Sequence, residues 1–171
     1  MSANDKVKTH FQNAMAEFVG QNYEKSIEEL NRAVELDSEF KLAFLSRGSA
    51  YLKLERFKEA RQDFDRVIEI DPTHARAYHL RGLVNEKIGE NESALEDFDK
   101  AVELDPEYGA AYFSRATLHS KMGNEDLATE DIEMVTHLTS VNVETFANEN
   151  NVWRSNHLRV EGMGFADPMD R

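Results

Sequence analysis

The sequence predicts an all-α chain, a solenoid of four helix pairs followed by a capping helix. Three observations predict it. Only three prolines and eight glycines interrupt a chain rich in Glu, Lys, Leu and Ala, which favours helix over sheet. Apolar residues recur at helical spacing, as in Ala43, Phe44, Tyr51 and Leu54, then Phe57, Ala60, Phe64, Val67 and Ile70. The pattern also returns every 34 residues without a gap, in units 7–40, 41–74, 75–108 and 109–142.

Within each unit the first helix carries an aromatic column at Phe44, Tyr78 and Tyr112, with His10 in the first unit. A small column follows at Ala14, Gly48, Gly82 and Ala116, where two helices can approach closely. The break between helices holds Gly20, Gly89 or Gly123, each expected in the left-handed conformation after a helix end. The second helix carries a further small column, Ser26, Ala60, Ala94 and Ala128. Four residues later come Leu30, Phe64, Phe98 and Ile132. Asp71-Pro72 and Asp105-Pro106 stop the second helix, because the residue before proline avoids the helical region. Ser38 and Ser140 stand there in the outer units. The first unit is tinged polar by His10, Asn13 and Glu17, as the end of a stack requires. Val143, Phe146, Ala147, Val152 and Trp153 predict a capping helix over 143–155. Beyond it, 156–171 has no helical period and is broken by Gly162, Gly164 and Pro168, the pattern of a flexible tail.

The run Phe44-x2-Arg47-Gly48-x2-Tyr51, then Ala60-x3-Phe64, then Pro72, resembles the tetratricopeptide repeat. The resemblance covers 136 of 171 residues. It implies a right-handed superhelix whose concave surface is lined by the first helix of each unit, and a role in holding other proteins. Departures fall at His10, Asn13, Ala14 and Glu17, at Asn85 in place of an aromatic, and at His119 and Ser140 in the last unit.

Arg47, Arg81 and Arg115 recur where the family often has an apolar residue. Asp63, Asp97 and Asp131 lie sixteen residues after them, level with them in an antiparallel helix pair. These three pairs are expected to brace the stack by bidentate bonding. A partner on a neighbouring unit, or a carboxylate ligand, is the alternative.

Composition narrows the function. A formal net charge of −13 repels phosphate backbones, so nucleic acid is not an expected partner. No run of 18 apolar residues calls for membrane insertion. The polar start "MSANDKVKTHFQ" is unlike a secretion signal, and with no cysteine the expected location is cytoplasmic. Neither a phosphate-binding loop, a nucleophile elbow nor a His-Glu-x-x-His motif occurs. No enzyme activity, metal or cofactor is therefore expected.

Function then rests on the inner face. Its expected positions include Lys8, Phe11, Met15, Leu45, Ser49, Leu52, Lys53, Arg76, His79, Leu80, Leu83, Lys87, Phe113 and Lys121. Large apolar side chains there mark a contact surface, and its charges are basic apart from Glu86. The fitting ligand is a peptide or helix with apolar and acidic residues. Chaperone-tail-binding relatives use a clamp of lysines, asparagines and an arginine. The corresponding places hold Phe11, Met15, Ser46, Arg76 and Leu80, of which only Arg76 fits, so that subtype is disfavoured. The expected function is a protein–protein adaptor or scaffold. The alternative is a structural protein that forms homo-oligomers through its repeats or tail. In the tail, Met163, Phe165 and Met169 beside Glu161, Asp167 and Asp170 match the chemistry of the groove.

Overall fold

The computed structural model describes residues 2–149, with side chains through residue 142. Eight helices follow in order and no strand occurs among the described residues: α1 (Ala3–Val19), α2 (Tyr23–Leu36), α3 (Lys41–Lys53), α4 (Phe57–Ile70), α5 (Ala75–Lys87), α6 (Asn91–Leu104), α7 (Gly109–Lys121) and α8 (Glu125–Glu149). Each packs chiefly on its sequence neighbours, the first helix of a unit on its second and the second on the next unit's first. The core is therefore a continuous seam, not a central cluster.

The seam rests on the two small columns. Phe64 and Phe98 are fully buried, and a Cβ added at Gly48 or Gly82 would lie 2.7 or 2.6 Å from their rings. In the outer units the facing residue is smaller, Leu30 or Ile132, and alanine replaces glycine at 14 and 116. Ser26 fits its small column by donating its hydroxyl to the Ala14 carbonyl at 2.9 Å.

Local chemistry sets the helix ends. Ser2 and Asp5 form a reciprocal capping box at the start of α1. The turns inside the pairs put residues 21, 55, 89 and 123 at positive φ: Gln21 and Glu55 as well as Gly89 and Gly123. Gly20 was expected in that role, but its φ is −72° and Gln21 takes the left-handed position one place later. The next residue's N–H then closes back on the first helix, as in Arg56 to Tyr51 O at 2.9 Å and Glu90 to Asn85 O at 2.8 Å. Between units, the carboxylates of Asp37, Asp71 and Asp105 accept the N–H two residues on.

The last helix departs from expectation. A boundary at 142 with a separate helix over 143–155 does not occur, because α8 runs unbroken from Glu125 to Glu149. Thr139 and Ser140 replace the Asp-Pro stop. With no proline at 140 the helix has no stop, and the two hydroxyls are accommodated in it by bonding back to the carbonyls of Val135 (2.8 Å) and Thr136 (3.0 Å). Residues 150–155 of the expected cap and the expected tail 156–171 lie outside the described residues.

Candidate functional site

The arginines form a ladder along the stack. Arg47 donates Nε and Nη2 to the two carboxylate oxygens of Asp63 at 2.9 and 2.7 Å. Arg81 does the same to Asp97 and Arg115 to Asp131, at 2.6–3.3 Å. Each also reaches back one unit with Nη1: Arg47 to Asn31 at 2.8 Å, Arg81 to Asp65 at 2.7 Å and Arg115 to Asp99 at 2.6 Å. One guanidinium thus ties its own pair and the pair before it. Phe44, Tyr78 and Tyr112 lie under these guanidiniums at 5.3–5.5 Å. The first unit has Asn13 in the arginine's column, and there His10, Asn13 and Arg32 all bond to Glu29. All three aspartates are buried. Burial holds the Asp63 carboxyl above its usual range, against the pull of Arg47. Asp97 raises the Arg81 guanidinium and Asp131 that of Arg115, with Asp65 and Asp99 adding to it. Each of these arginines thus commits three of its five N–H donors, one on every nitrogen, to the protein itself.

Two clefts follow the first helices of the first three units. One, of about 220 Å³, is lined by Met15, Phe18, Leu42, Leu45, Ser46, Ser49 and Arg76 from α1, α3 and α5. The other, of about 310 Å³, is lined by Leu52, Lys53, Glu55, Phe57, Leu83 and Lys87. Ser49 and Leu52 are neighbours on α3, so the clefts follow one another along it. Phe57 and Glu55 join from the pair turn. Phe57 begins α4, and its period alone assigns it to the core of the pair. Phe11 is half-buried against Phe40, with ring centroids 5.1 Å apart. Leu80 is half-buried beside the second unit's core. Lys8, Lys53, Arg76 and Lys87 are exposed, and among the described residues none has a carboxylate within 4.0 Å. Lys121 is also exposed and lies 3.4 Å from Glu86, which with Glu55 of the second cleft supplies the acids beside these cations.

Two expected groove residues are buried. Leu45 is buried and belongs to the core with Phe64, Ala77 and Val84, so it forms a cleft floor and not a contact rim. His79 is buried between the third and fourth units. Its Nδ1 lies 3.0 Å from the Tyr108 hydroxyl and its Nε2 lies 2.9 Å from Ser114 Oγ. Burial, with Arg76 nearby, lowers its pKa to about 4, so it is neutral at physiological pH. It serves as a polar bolt between units. A histidine one period after Leu45 and one before Phe113 carries no mark in sequence that would separate bolt from contact.

Charge is partitioned between the two layers. Of the first helices, α3 carries Lys41, Arg47 and Lys53 without an acid, and α7 carries Arg115 and Lys121 without an acid. In α5, Arg76, Arg81 and Lys87 face only Glu86. Of the second helices, α6 has five acids against Lys100, and α8 has acids and no Lys or Arg. The acidity of the chain thus lies on its outer layer. Among the described residues no group of three or more His, Asp or Glu side chains is placed to hold a metal ion, and no helix is long and apolar enough to cross a membrane.

The tetratricopeptide repeat family model matches residues 42–74 and 75–108, the second and third units. No curated protein matches the chain. Solved structures share its fold. A crystal structure of MamA superposes with a TM-score of 0.75 at 24% identity, over 81% of either chain. The Arabidopsis OM64 TPR domain gives 0.68 at 23%, over 70% of this chain and 99% of that one. The second TPR domain of human RPAP3, in complex with the HSP70 peptide SGPTIEEVD, gives 0.66 at 24%, over 68% and 98%.

Proposed function

We propose that this chain of tetratricopeptide repeats is a non-enzymatic adaptor that holds a protein partner along its inner face. The partner segment is a peptide or helix that offers apolar anchors and acidic residues. The carrying observation is a pair of apolar clefts edged by Arg76, Lys53 and Lys87, three exposed cations with no internal carboxylate, in a chain of net charge −13. Cations left unpaired in so acidic a molecule favour an acidic ligand and speed its encounter. The clefts lie six or seven residues apart on α3, about 10 Å at a rise of 1.5 Å per residue. That spacing suits anchors three residues apart in an extended ligand or seven apart in a helical one.

The test is affinity capture from the native lysate with wild type and an Arg76→Glu/Lys87→Glu variant. Both side chains are exposed, so the fold is expected to stand; Leu45→Glu would instead force a carboxylate into the core. Wild type is expected to retain a partner that the charge-reversed variant loses, with unchanged melting. Equal capture by both would remove the inner face as the binding surface.

A further inference from the structure

The acidity of the outer layer is interrupted beside the inner clefts. On the first two turns of the second helices, Glu24, Glu92 and Asp126 share one column, and Glu28, Glu96 and Glu130 share another. The second unit breaks both columns, with Lys58 and Gln62. Phe57 precedes them, where the later units have Asn91 and Glu125. Its counterpart in the first unit, Tyr23, is taken up edge-on by Phe18, with ring centroids 5.2 Å apart.

A third cleft, of about 250 Å³, opens at this break, lined by Phe57, Lys58, Arg61, Gln62, Asp65 and Ile88. Phe57 also lines the second inner cleft, so one side chain forms a wall of both. Inner and outer clefts therefore meet at the turn edge between the second and third units. Ile88 is 42% exposed and is held at the end of α5 by its N–H on the Val84 carbonyl at 3.1 Å. Two ion pairs tie the walls together, Arg61 to Glu90 at 2.8 Å and Arg81 to Asp65 at 2.7 Å. Both acids are thereby neutralised from within. Lys58 is exposed and, among the described residues, has no carboxylate within 4.0 Å. Of the acids lining these two clefts, Glu55 alone has no internal cation among the described residues.

We infer that the partner's acidic, apolar segment continues past the second inner cleft, crosses the turn edge over Phe57 and sets a third apolar anchor between Phe57 and Ile88, an extension that rests on the inner-face reading. Charge selects this occupant. Lys53, Lys87 and Lys58 succeed one another along the path and attract an acidic segment. The acids in the column of Lys58 repel it from the corresponding edges of the other units. The path also sets the ligand's shape. A straight helix follows one face or the other, so a segment that turns over Phe57 is extended. Phe57 and Asp65 lie about 12 Å apart along α4 at 1.5 Å per residue. About four extended residues cover that distance. Three anchors, three or four residues apart, then define a segment of about seven to nine residues.

Two end-labelled synthetic peptides test this by fluorescence polarisation against the full chain. One is Leu-Glu-Glu-Leu-Glu-Glu-Leu; the control has serine in place of the last leucine. The three-anchor peptide is expected to bind the unaltered chain several-fold more tightly than the control. Lys58→Glu/Ile88→Ser, at two exposed positions, should remove that advantage and leave the control's affinity as it was. Equal affinities of the two peptides for the unaltered chain would overturn the third anchor. So would an advantage indifferent to Lys58→Glu/Ile88→Ser, or a loss that falls on both peptides alike. The inner face is read separately: if Arg76→Glu/Lys87→Glu binds the control as well as the unaltered chain does, that reading fails. Binding of neither peptide at millimolar concentration would overturn both.

Discussion

At the scale of single residues, the arginines answer a question of role that their period alone leaves open. Arg81 spends three nitrogens on Asp97 and Asp65, and Asn85 adds a bond from Nδ2 to Asp97 at 2.9 Å. Arg81→Ala leaves the buried Asp97 carboxylate without a cation, a loss of roughly 3 kcal/mol. Urea denaturation should show that fall, with partner affinity altered far less. An intact unfolding midpoint with lost binding would make Arg81 a ligand contact. His79 yields a pH prediction. Its folded pKa, about 4, lies below the 6.5 of the unfolded chain, so the unfolded state takes up the proton first as pH falls. The stability it contributes is full above about 6.5 and lost progressively on the way to 4. His79→Leu should therefore lose less stability than wild type between pH 7.5 and 4.5 in parallel urea titrations. Equal losses would show that His79 does not titrate with unfolding.

At the scale of the helix pair, closeness is set by the small residue on the first helix and the bulk sixteen residues later on the second. Gly48 with Phe64 and Gly82 with Phe98 are one solution; Ala14 with Leu30 and Ala116 with Ile132 are another. Gly82→Ala would set a methyl 2.6 Å from the Phe98 ring and 3.2 Å from the Ala94 carbonyl, in a site with no slack. A loss of about 1–3 kcal/mol is expected, as for overpacked cores generally. Gly82→Ala combined with Phe98→Ile should recover part of it, and strict additivity in that double-mutant cycle would refute the coupling. Helix length obeys similarly local chemistry. Asp-Pro ends α4 and α6, whereas Thr139-Ser140 lacks the proline and α8 continues through it.

At the scale of the whole molecule, the stack is a row of coupled pairs with unequal ends. Most of the fully buried side chains sit in the second and third units, while Leu127, Ile132, Met134 and Val141 of α8 are exposed. In a quasi-one-dimensional stack, opening begins at the weaker end. Amide hydrogen exchange should thus be slowest in α4–α6 and fastest in α8. Uniform protection along all eight helices would instead mean a single cooperative unit.

The repeat, the helix pairs and the arginine–aspartate pairs were legible in the sequence, because they depend on spacing within one period of 34 residues. So was the basic cast of the first helices, since charge needs no coordinates. What only the tertiary structure decided is what each column meets outside its own pair. Arg81 and Arg115 also hold the preceding unit, through Asp65 and Asp99. Leu45 and His79 pass from the inner face into the core because the next first helix lies on them, while Phe113, in the same column, is exposed because none follows among the described residues. A sequence column records a residue's place within its repeat; burial depends on the neighbour that packs against it, and the last repeat has none among the described residues.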